Sequence, residues 1–358
     1  MCVLLFGFGG CASSPAVAGA RTAGTLVLVG GGLENDSGLV YRRLAALAKG
    51  PGAPRLLIAT AASGDQDAEI VDKTESMRVW AADVPVGVLR RETPTADTVA
   101  AIDAATAILF TGGDQQRITD RYRPNGVDTP EATAMRRLLR RGGVIAGCSA
   151  GCAMMGERML LGGGSAAALG IAPKPAAGAD RNAEPPRLGP RLGPGMAFLP
   201  WAFTDSHFYE RDRAGRLAAA LAATGDRYGL GVGEDAAVEI DVAARAVFAL
   251  HGTGALVVDA SHRRRDGATI TGLRARVLTA GCQVCGDESS ALPPPMPAGP
   301  PRLVPIVEPG QNRQLASWRL FCLASDAAHG VQCLQLDGWQ VTAWAAGDGA
   351  CAFAVGPR

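Results

Sequence analysis

The sequence has few aromatic residues and almost no net charge. Its 358 residues include 9 Phe, 5 Trp and 4 Tyr, and its 35 basic residues are balanced by 34 acidic ones. A net charge of +1 does not attract a nucleic acid or an anionic membrane surface. So few aromatic side chains do not supply a platform on which bases could stack. We therefore expect no nucleic-acid partner.

Long apolar runs and complete metal-binding motifs are also absent. No stretch of 18 or more apolar residues follows the N-terminal segment, so we expect no transmembrane helix. Cys282 and Cys285 form a CxxC motif, but no second CxxC or histidine pair completes a zinc site at the usual spacing. Five of the nine cysteines follow residue 280, and in an exported protein we expect them to form disulfides with one left over.

The first 23 residues form a segment of their own. Met1 to Phe8 is apolar, and small residues surround Cys11 as they do at a bacterial lipoprotein cleavage site. The segment predicts export, with Cys11 as a lipid anchor. It lacks a basic residue before the apolar run, and the alternative is a buried first strand.

Alternating apolar strands and amphipathic helices predict an α/β protein. Such a pattern gives a mostly parallel sheet with helices on both faces, and sites form at the carboxyl ends of its strands. The predicted strands cover 25–29, 55–60, 84–89, 107–110 and 144–146, and the predicted helices cover 39–48, 68–82, 95–104 and 131–141.

The second half of the chain is less regular. Residues 172–194 are rich in Pro, Gly and Arg and predict a surface loop. Strands are expected at 199–204, 228–233 and 271–278, with a small meander at 237–241, 246–250 and 255–259. A proline-rich linker follows residue 287. We therefore divide the chain into the segment 1–23, a domain at 24–280 and a C-terminal extension at 281–358.

The stretch from Gly147 to Gly151 has the form G-x-S-x-G, with Ser149 at its centre. An apolar strand precedes it and small residues that favour a helix follow, which is typical of a nucleophile elbow. Such a turn lifts the serine hydroxyl clear of the sheet edge and brings the N–H of Ala150 near a developing oxyanion. The alternative is a glycine-rich turn in which the serine has no role.

A serine nucleophile needs a base, and the sequence contains only four histidines. His207 is the best candidate because it follows a predicted strand and lies near Asp205. His251 lies in a hairpin-like stretch, His262 precedes a basic run and His329 is in the extension. Residue spacing leaves Asp205, Glu234 and Asp235 open as the acid that orients the imidazole. The order Ser, His, Glu excludes an α/β-hydrolase, in which the acid precedes the histidine.

These motifs together resemble the cyanophycinase and peptidase E family of serine exopeptidases. The resemblance spans about 24–280 and is closer to cyanophycinase, because of the pattern His-Phe-x-x-Arg-x-Arg-x-x-Arg. The segments that carry it are LVLVGGG at 26–32, FTGGDQ at 110–115, AGCSAG at 146–151, DSHFYERDRAGRL at 205–217 and GLGVGEDAAV at 229–238.

The resemblance implies a fold like that of class I glutamine amidotransferases, with Ser149 as nucleophile, His207 as base and Glu234 as the orienting acid. It implies an oxyanion hole from the N–H groups of Gly113 and Ala150. It also implies a dimer and a set of substrate-binding side chains: Gln115, Asp205, Arg211, Arg213 and Arg216. The arginines suit a substrate with a free carboxylate, although a solvated helix face is the alternative.

The chain departs from the family pattern at Cys148, Ser206 and Gly233, where the family usually has Thr, Gln and Asp. The implied activity is release of β-Asp-Arg from cyanophycin, a poly-aspartate that carries arginine on its side chains. The alternatives are a peptidase for short aspartyl or isoaspartyl peptides and a non-catalytic binding protein. The implied chemistry needs no metal or cofactor.

Overall fold

A computed structural model describes the molecule over residues 24–33, 38–49, 53–172, 187–252, 254–285, 296–297, 301–303, 313–325, 330–336, 338–347 and 350–358. The N-terminal segment with Cys11 and most of the proline-rich linker lie outside these residues. Export, the lipid anchor and the dimer therefore stay predictions.

The first sheet is built around five parallel strands, as the sequence predicts. Its order in the described residues is β15-β11-β10-β1-β5-β4-β2-β3, and β10, β11 and β15 extend it with antiparallel pairing. The strands are β1 (Thr25–Val29), β2 (Leu56–Ala59), β3 (Val86–Leu89), β4 (Ala107–Phe110), β5 (Val144–Cys148), β10 (Ala237–Asp241), β11 (Ala246–His251) and β15 (Gln283–Cys285).

Helices cover both faces of this sheet. One face packs on α1 (Gly38–Ala48) and α2 (Gln66–Trp80) through Val40, Leu44 and Met77. The other face packs on α3 (Thr95–Asp103), α4 (Gln115–Tyr122) and α5 (Pro130–Arg140). The α/β prediction is confirmed, although the sequence did not predict α4, which begins immediately after the GGD loop.

The second sheet has nine strands in the described residues and was not expected as a separate layer. The strands β8 (Ala202–Asp205) and β9 (Tyr228–Val232) are parallel neighbours at one edge. The sheet continues through β12 (Ala255–Asp259), β14 (Thr269–Leu278), β19 (Ala350–Pro357), β18 (Trp339–Gly347), β17 (Gln332–Gln335) and β16 (Arg302–Leu303), with β13 (Arg264–Asp266) paired to β14.

One expectation about this half is wrong. The segments 237–259 do not form one meander, because β10 and β11 join the first sheet and β12 joins the second. The extension also contributes to the second sheet, because β19 pairs with β14 along residues 270–275. The second sheet thus crosses residue 281, and that residue stays only a predicted domain boundary.

The helices α8 (Ala214–Thr224) and α9 (Arg313–Ala324) pack against the second sheet. Phe208, Leu217, Phe321 and Phe353 belong to the same buried cluster, so the C-terminal part shares a core with the histidine segment. The remaining elements are α6 (Ala150–Ala153), β6 (Arg158–Leu160), α7 (Ser165–Leu169) and β7 (Leu192–Pro194). β7 lies at the end of the predicted surface loop and pairs with β6.

The disulfide expectation is wrong for three of the late cysteines. Cys322, Cys333 and Cys351 form no disulfide in the described part of the chain. Cys282 lies beside the first sheet, whereas the other three belong to α9, β17 and β19 of the second layer. Among the described helices, none combines the length and the apolarity needed to cross a membrane.

Candidate active site

Ser149 lies on a strained turn between β5 and α6. Its φ of 53° and ψ of −104° fall in a region that side chains other than glycine rarely adopt. The neighbouring glycines make this turn feasible. A Cβ on Gly147 would lie 2.2 Å from the carbonyl oxygen of Gly151, and one on Gly151 would lie 2.8 Å from Cβ of Phe110. The turn therefore has the geometry of the predicted nucleophile elbow.

His207 follows β8 of the second sheet and meets the end of β1 in the first. Its backbone N–H donates to the carbonyl oxygen of Gly30 over 2.6 Å. Its imidazole lies against Gly31, where an added Cβ would be 2.2 Å from Cε1. The sequence identified the three glycines after β1 only as a loop. Their run directly after a buried strand is the signal that a side chain packs against the backbone there.

Glu234 follows β9 and reaches the same place. The N–H of the next residue, Asp235, donates to the carbonyl oxygen of Gly31 over 2.8 Å, which fixes this loop beside the histidine. Ser149 Oγ lies 2.6 Å from His207 Nε2, and His207 Nδ1 lies 2.5 Å from Glu234 Oε1. The structure thus brings together the three residues in one hydrogen-bonded row.

The row has a defined direction of proton donation. A carboxylate only accepts, so His207 donates from Nδ1 to Glu234 and accepts the Ser149 hydroxyl at Nε2. Burial lowers the pKa of His207, and the positive charges of Arg211 and Arg213 add to that effect. The hydrogen bond to Glu234 raises the pKa but does not reverse the shift. The imidazole is therefore neutral, and able to accept a proton, at neutral pH.

Two backbone N–H groups beside Ser149 are unused. Those of Gly113 and Ala150 donate to no group in the described part of the chain. Gly112 lies close enough that its Cβ would be 3.5 Å from that of Ser149. Unused donors next to a nucleophile match what an oxyanion hole requires.

Three of the predicted substrate-binding residues instead bind one another. Asp205 is fully buried, and its carboxylate accepts from Arg216 Nε over 2.7 Å and from Arg213 Nη1 over 3.2 Å. Arg216 also donates to the carbonyl oxygen of Gly163 over 2.9 Å and is itself buried. Burial lowers the pKa of Arg213 to about 10. These residues form an internal ion-pair cluster in which Asp205 is closed to a substrate.

Arg211 and Gln115 are placed differently from that cluster. Arg211 is exposed in the turn before α8, which begins only at Ala214, so the three arginines do not share one helix face. Gln115 donates from Nε2 to the carbonyl oxygen of Leu160 over 2.6 Å, and its side-chain oxygen has no partner among the described residues.

The departures from the family pattern lie inside the protein. Ser206 is 3% exposed, and the backbone of Gly233 lies against Gly30, where a Cβ would be 1.9 Å from the Gly233 carbonyl oxygen. Burial raises the pKa of the Cys148 thiol to about 11, so it stays protonated beside Ser149. Across the described residues, no group of three or more His, Cys, Asp or Glu side chains is arranged to hold a metal ion.

Comparison with known proteins identifies a family and a set of relatives. The profile of peptidase family S51 matches residues 26–244. The cyanophycinase of Nostoc sp. (strain PCC 7120) is 34% identical over 149 residues, which cover 41% of this chain and 43% of that protein. The cyanophycinase of Geminocystis herdmanii is 33% identical over 135 residues, 37% of this chain and 42% of that protein. The matched region is thus less than half the length of these relatives.

The fold has a counterpart among solved structures. The crystal structure of a peptidase from an acI-B1 Actinobacterium superposes with a TM-score of 0.51 at 17% sequence identity. The superposition covers 74% of this chain and 98% of that one.

Proposed function

We propose that this chain, which belongs to peptidase family S51 and so is a serine-type peptidase, hydrolyses the aspartyl backbone of cyanophycin to β-Asp-Arg. The observation that carries the proposal is the row of Ser149, His207 and Glu234, with contacts of 2.6 and 2.5 Å. The likeness to two cyanophycinases supports the substrate.

The proposed reaction begins with attack of Ser149 Oγ on the carbonyl carbon of an aspartyl residue. Neutral His207 takes the hydroxyl proton at Nε2, and Glu234 stabilises the resulting imidazolium. The N–H groups of Gly113 and Ala150 receive the oxyanion. His207 then gives the proton to the leaving amine, and a water molecule hydrolyses the acyl-enzyme by the same route in reverse.

Recognition of the substrate is proposed to depend on Arg211. Each unit of cyanophycin carries the free carboxylate of its arginine, and a guanidinium binds carboxylates in a bidentate manner. Arg211 is exposed, and its backbone N–H donates to the carbonyl oxygen of His207 over 3.2 Å, so a carboxylate bound to its guanidinium would lie near the catalytic row. Because Asp205 is occupied, the free side-chain oxygen of Gln115 is the better acceptor for the substrate's guanidinium.

The test is turnover of insoluble cyanophycin by the wild type, by Ser149→Ala and by Ser261→Ala. Ser261 is an exposed serine in a surface turn and serves as the matched control. We expect dipeptide release by the wild type and by the control, and a loss of at least about 10³-fold in Ser149→Ala.

Two other results would change the proposal. Cleavage of short aspartyl peptides but not of the polymer, lost in Ser149→Ala, would keep the mechanism and move the substrate to short peptides. No cleavage, together with no labelling of Ser149 by a serine-reactive phosphonate, would favour a non-catalytic binding protein on this fold.

A further inference from the structure

The loop after β2 lies directly beneath the glycine loop that carries Gly113. The carbonyl oxygen of Ala62 accepts from the N–H of Asp114 over 3.0 Å. A Cβ on Gly113 would lie only 2.2 Å from that same oxygen. The position of Ala62 therefore constrains Gly113, whose own N–H is the proposed oxyanion donor.

Arg91 also binds the loop after β2. It follows β3, and its Nε donates to the carbonyl oxygen of Ala61 over 3.0 Å while its Nη2 donates to that of Ser63. Its backbone N–H also donates to Gln66 Oε1 over 2.8 Å, at the start of α2. One guanidinium thus fixes the carbonyls on both sides of Ala62.

The loop has little other support of this kind. Arg117 Nη1 reaches the carbonyl oxygen of Ala62 over 3.4 Å, a long contact. Ala61 and Ala62 are fully buried, so water does not replace a lost donor without a rearrangement of the loop. A guanidinium binds two carbonyls through a rigid planar fork, a geometry that the flexible lysine ammonium does not reproduce.

We propose that Arg91 is a positioning residue for the oxyanion hole. The inference rests on the proposed function, because it assigns to Gly113 the role of oxyanion donor. Arg91 does not contact the reacting atoms, since β2 and β4 separate its strand from β5 and Ser149 in the sheet. It acts through Ala61, Ala62 and Ser63 on Gly113.

The experiment compares Arg91→Ala and Arg91→Lys with Arg141→Ala. Arg141 is the matched control because its guanidinium also binds backbone carbonyls, those of Ile102, Asp103 and Ala105. These groups lie near the amino ends of β4 and β5, away from Ser149 at the carboxyl end. Two readouts are used: hydrolysis of the substrate that the wild type accepts, and the rate at which a phosphonate labels Ser149, since its P=O oxygen occupies the oxyanion hole.

In Arg91→Ala we expect kcat and the labelling rate to fall about 10- to 100-fold, because small displacements of a catalytic group have effects of that size. KM should change by less than about threefold, and the acid limb of the pH profile should stay where it is, because His207 is untouched. Arg91→Lys should lie between the wild type and Arg91→Ala. Arg141→Ala should lose thermal stability to a similar degree and keep both rates.

Equal rates in Arg91→Ala and Arg141→Ala would overturn the inference, as would a displaced acid limb. A wild type that the phosphonate labels but that hydrolyses neither cyanophycin nor short aspartyl peptides would contradict the proposed function alone. The labelling rates would still decide the role of Arg91. If the phosphonate does not label the wild type, both the proposed function and the role of Arg91 are contradicted.

Discussion

The short segment 205–216 supplies side chains to two charged clusters, and the two clusters have different roles. His207 belongs to an open row, in which Glu234 keeps 37% of its side chain exposed. The N–H groups of Gly113 and Ala150 beside it have no acceptor within the described ranges. Asp205, two residues earlier, belongs to a closed cluster with Arg213 and Arg216, and its carboxylate oxygens are both bonded.

The difference between them is hydrogen-bond satisfaction. In a buried ion pair with all its acceptors bonded, removal of one partner is destabilising, because it leaves a charge without solvent or partner. A row with free donors at one end stabilises charge that appears only during a reaction. The identity of the charged residues does not distinguish these roles, but their burial and their partners do.

The largest effect is expected from a variant that breaks the closed cluster. In Asp205→Asn, the buried Arg216 and the partly buried Arg213 lose their counter-charge, and we expect a loss of about 3–5 kcal/mol in the free energy of unfolding. The melting temperature should fall by roughly 4–7 °C in thermal denaturation.

The matched control is Asp103→Asn. Asp103 pairs with Arg137 over 2.8 Å, but its side chain is 43% exposed, so the loss should be below about 1 kcal/mol. Asp205 would instead be a substrate-binding residue if Asp205→Asn melted like the wild type and showed a raised KM.

The second-largest effect is expected from a variant that disturbs the open row without substituting any of its three residues. In Gly31→Ala, the new Cβ meets the His207 ring at 2.2 Å in a backbone with φ of +119°. We expect the imidazole to move and kcat to fall about 100-fold, with the fold retained.

Gly170→Ala controls for backbone strain in this test. Gly170 has φ of +90° and no atom within 4 Å of the added Cβ, so it should cost about 1 kcal/mol of stability and leave kcat unchanged. A similar kcat in both variants would show that the contact between Gly31 and His207 has no part in placing the base.

The parts that the sequence predicts well are local ones. Apolar periodicity places β1, β2, β4 and β5 and the helices α1, α2, α3 and α5, because each pattern is set by neighbouring residues. The glycines around Ser149 predict a strained turn for the same reason. The family motifs identify a serine, a histidine and a glutamate, and the structure places them in one hydrogen-bonded row.

The parts that the sequence does not predict depend on distant pairing. Nothing near residues 270–275 indicates that they pair with residues 351–355. In the sequence Arg213 and Arg216 look like surface charges, and only the packing of α8 on the second sheet buries them against Asp205. Arg91 is likewise an ordinary arginine after a strand until the loop at 61–63 is seen beside it.

The smallest expected effect concerns the pH dependence of the open row. Because burial lowers the pKa of His207, the acid limb of kcat/KM should have its midpoint below the ordinary value of about 6.5. The unfolded chain binds this proton more readily than the folded one. The histidine's contribution to stability is therefore present above about 6.5 and is lost as the pH falls through the folded pKa.

Arg211 allows the charge effect to be separated from burial. In Arg211→Gln the imidazole loses a nearby positive charge, so the acid limb should move toward higher pH, by less than burial moves it the other way. The exposed Arg140 at the end of α5, in the variant Arg140→Gln, should leave the limb in place. Profiles of kcat/KM between pH 4 and 8 at fixed ionic strength measure the shift, since exposed charges are screened by salt. An acid limb that moves equally in both variants would mean that net charge, and not the position of Arg211 beside His207, sets the proton affinity of the base.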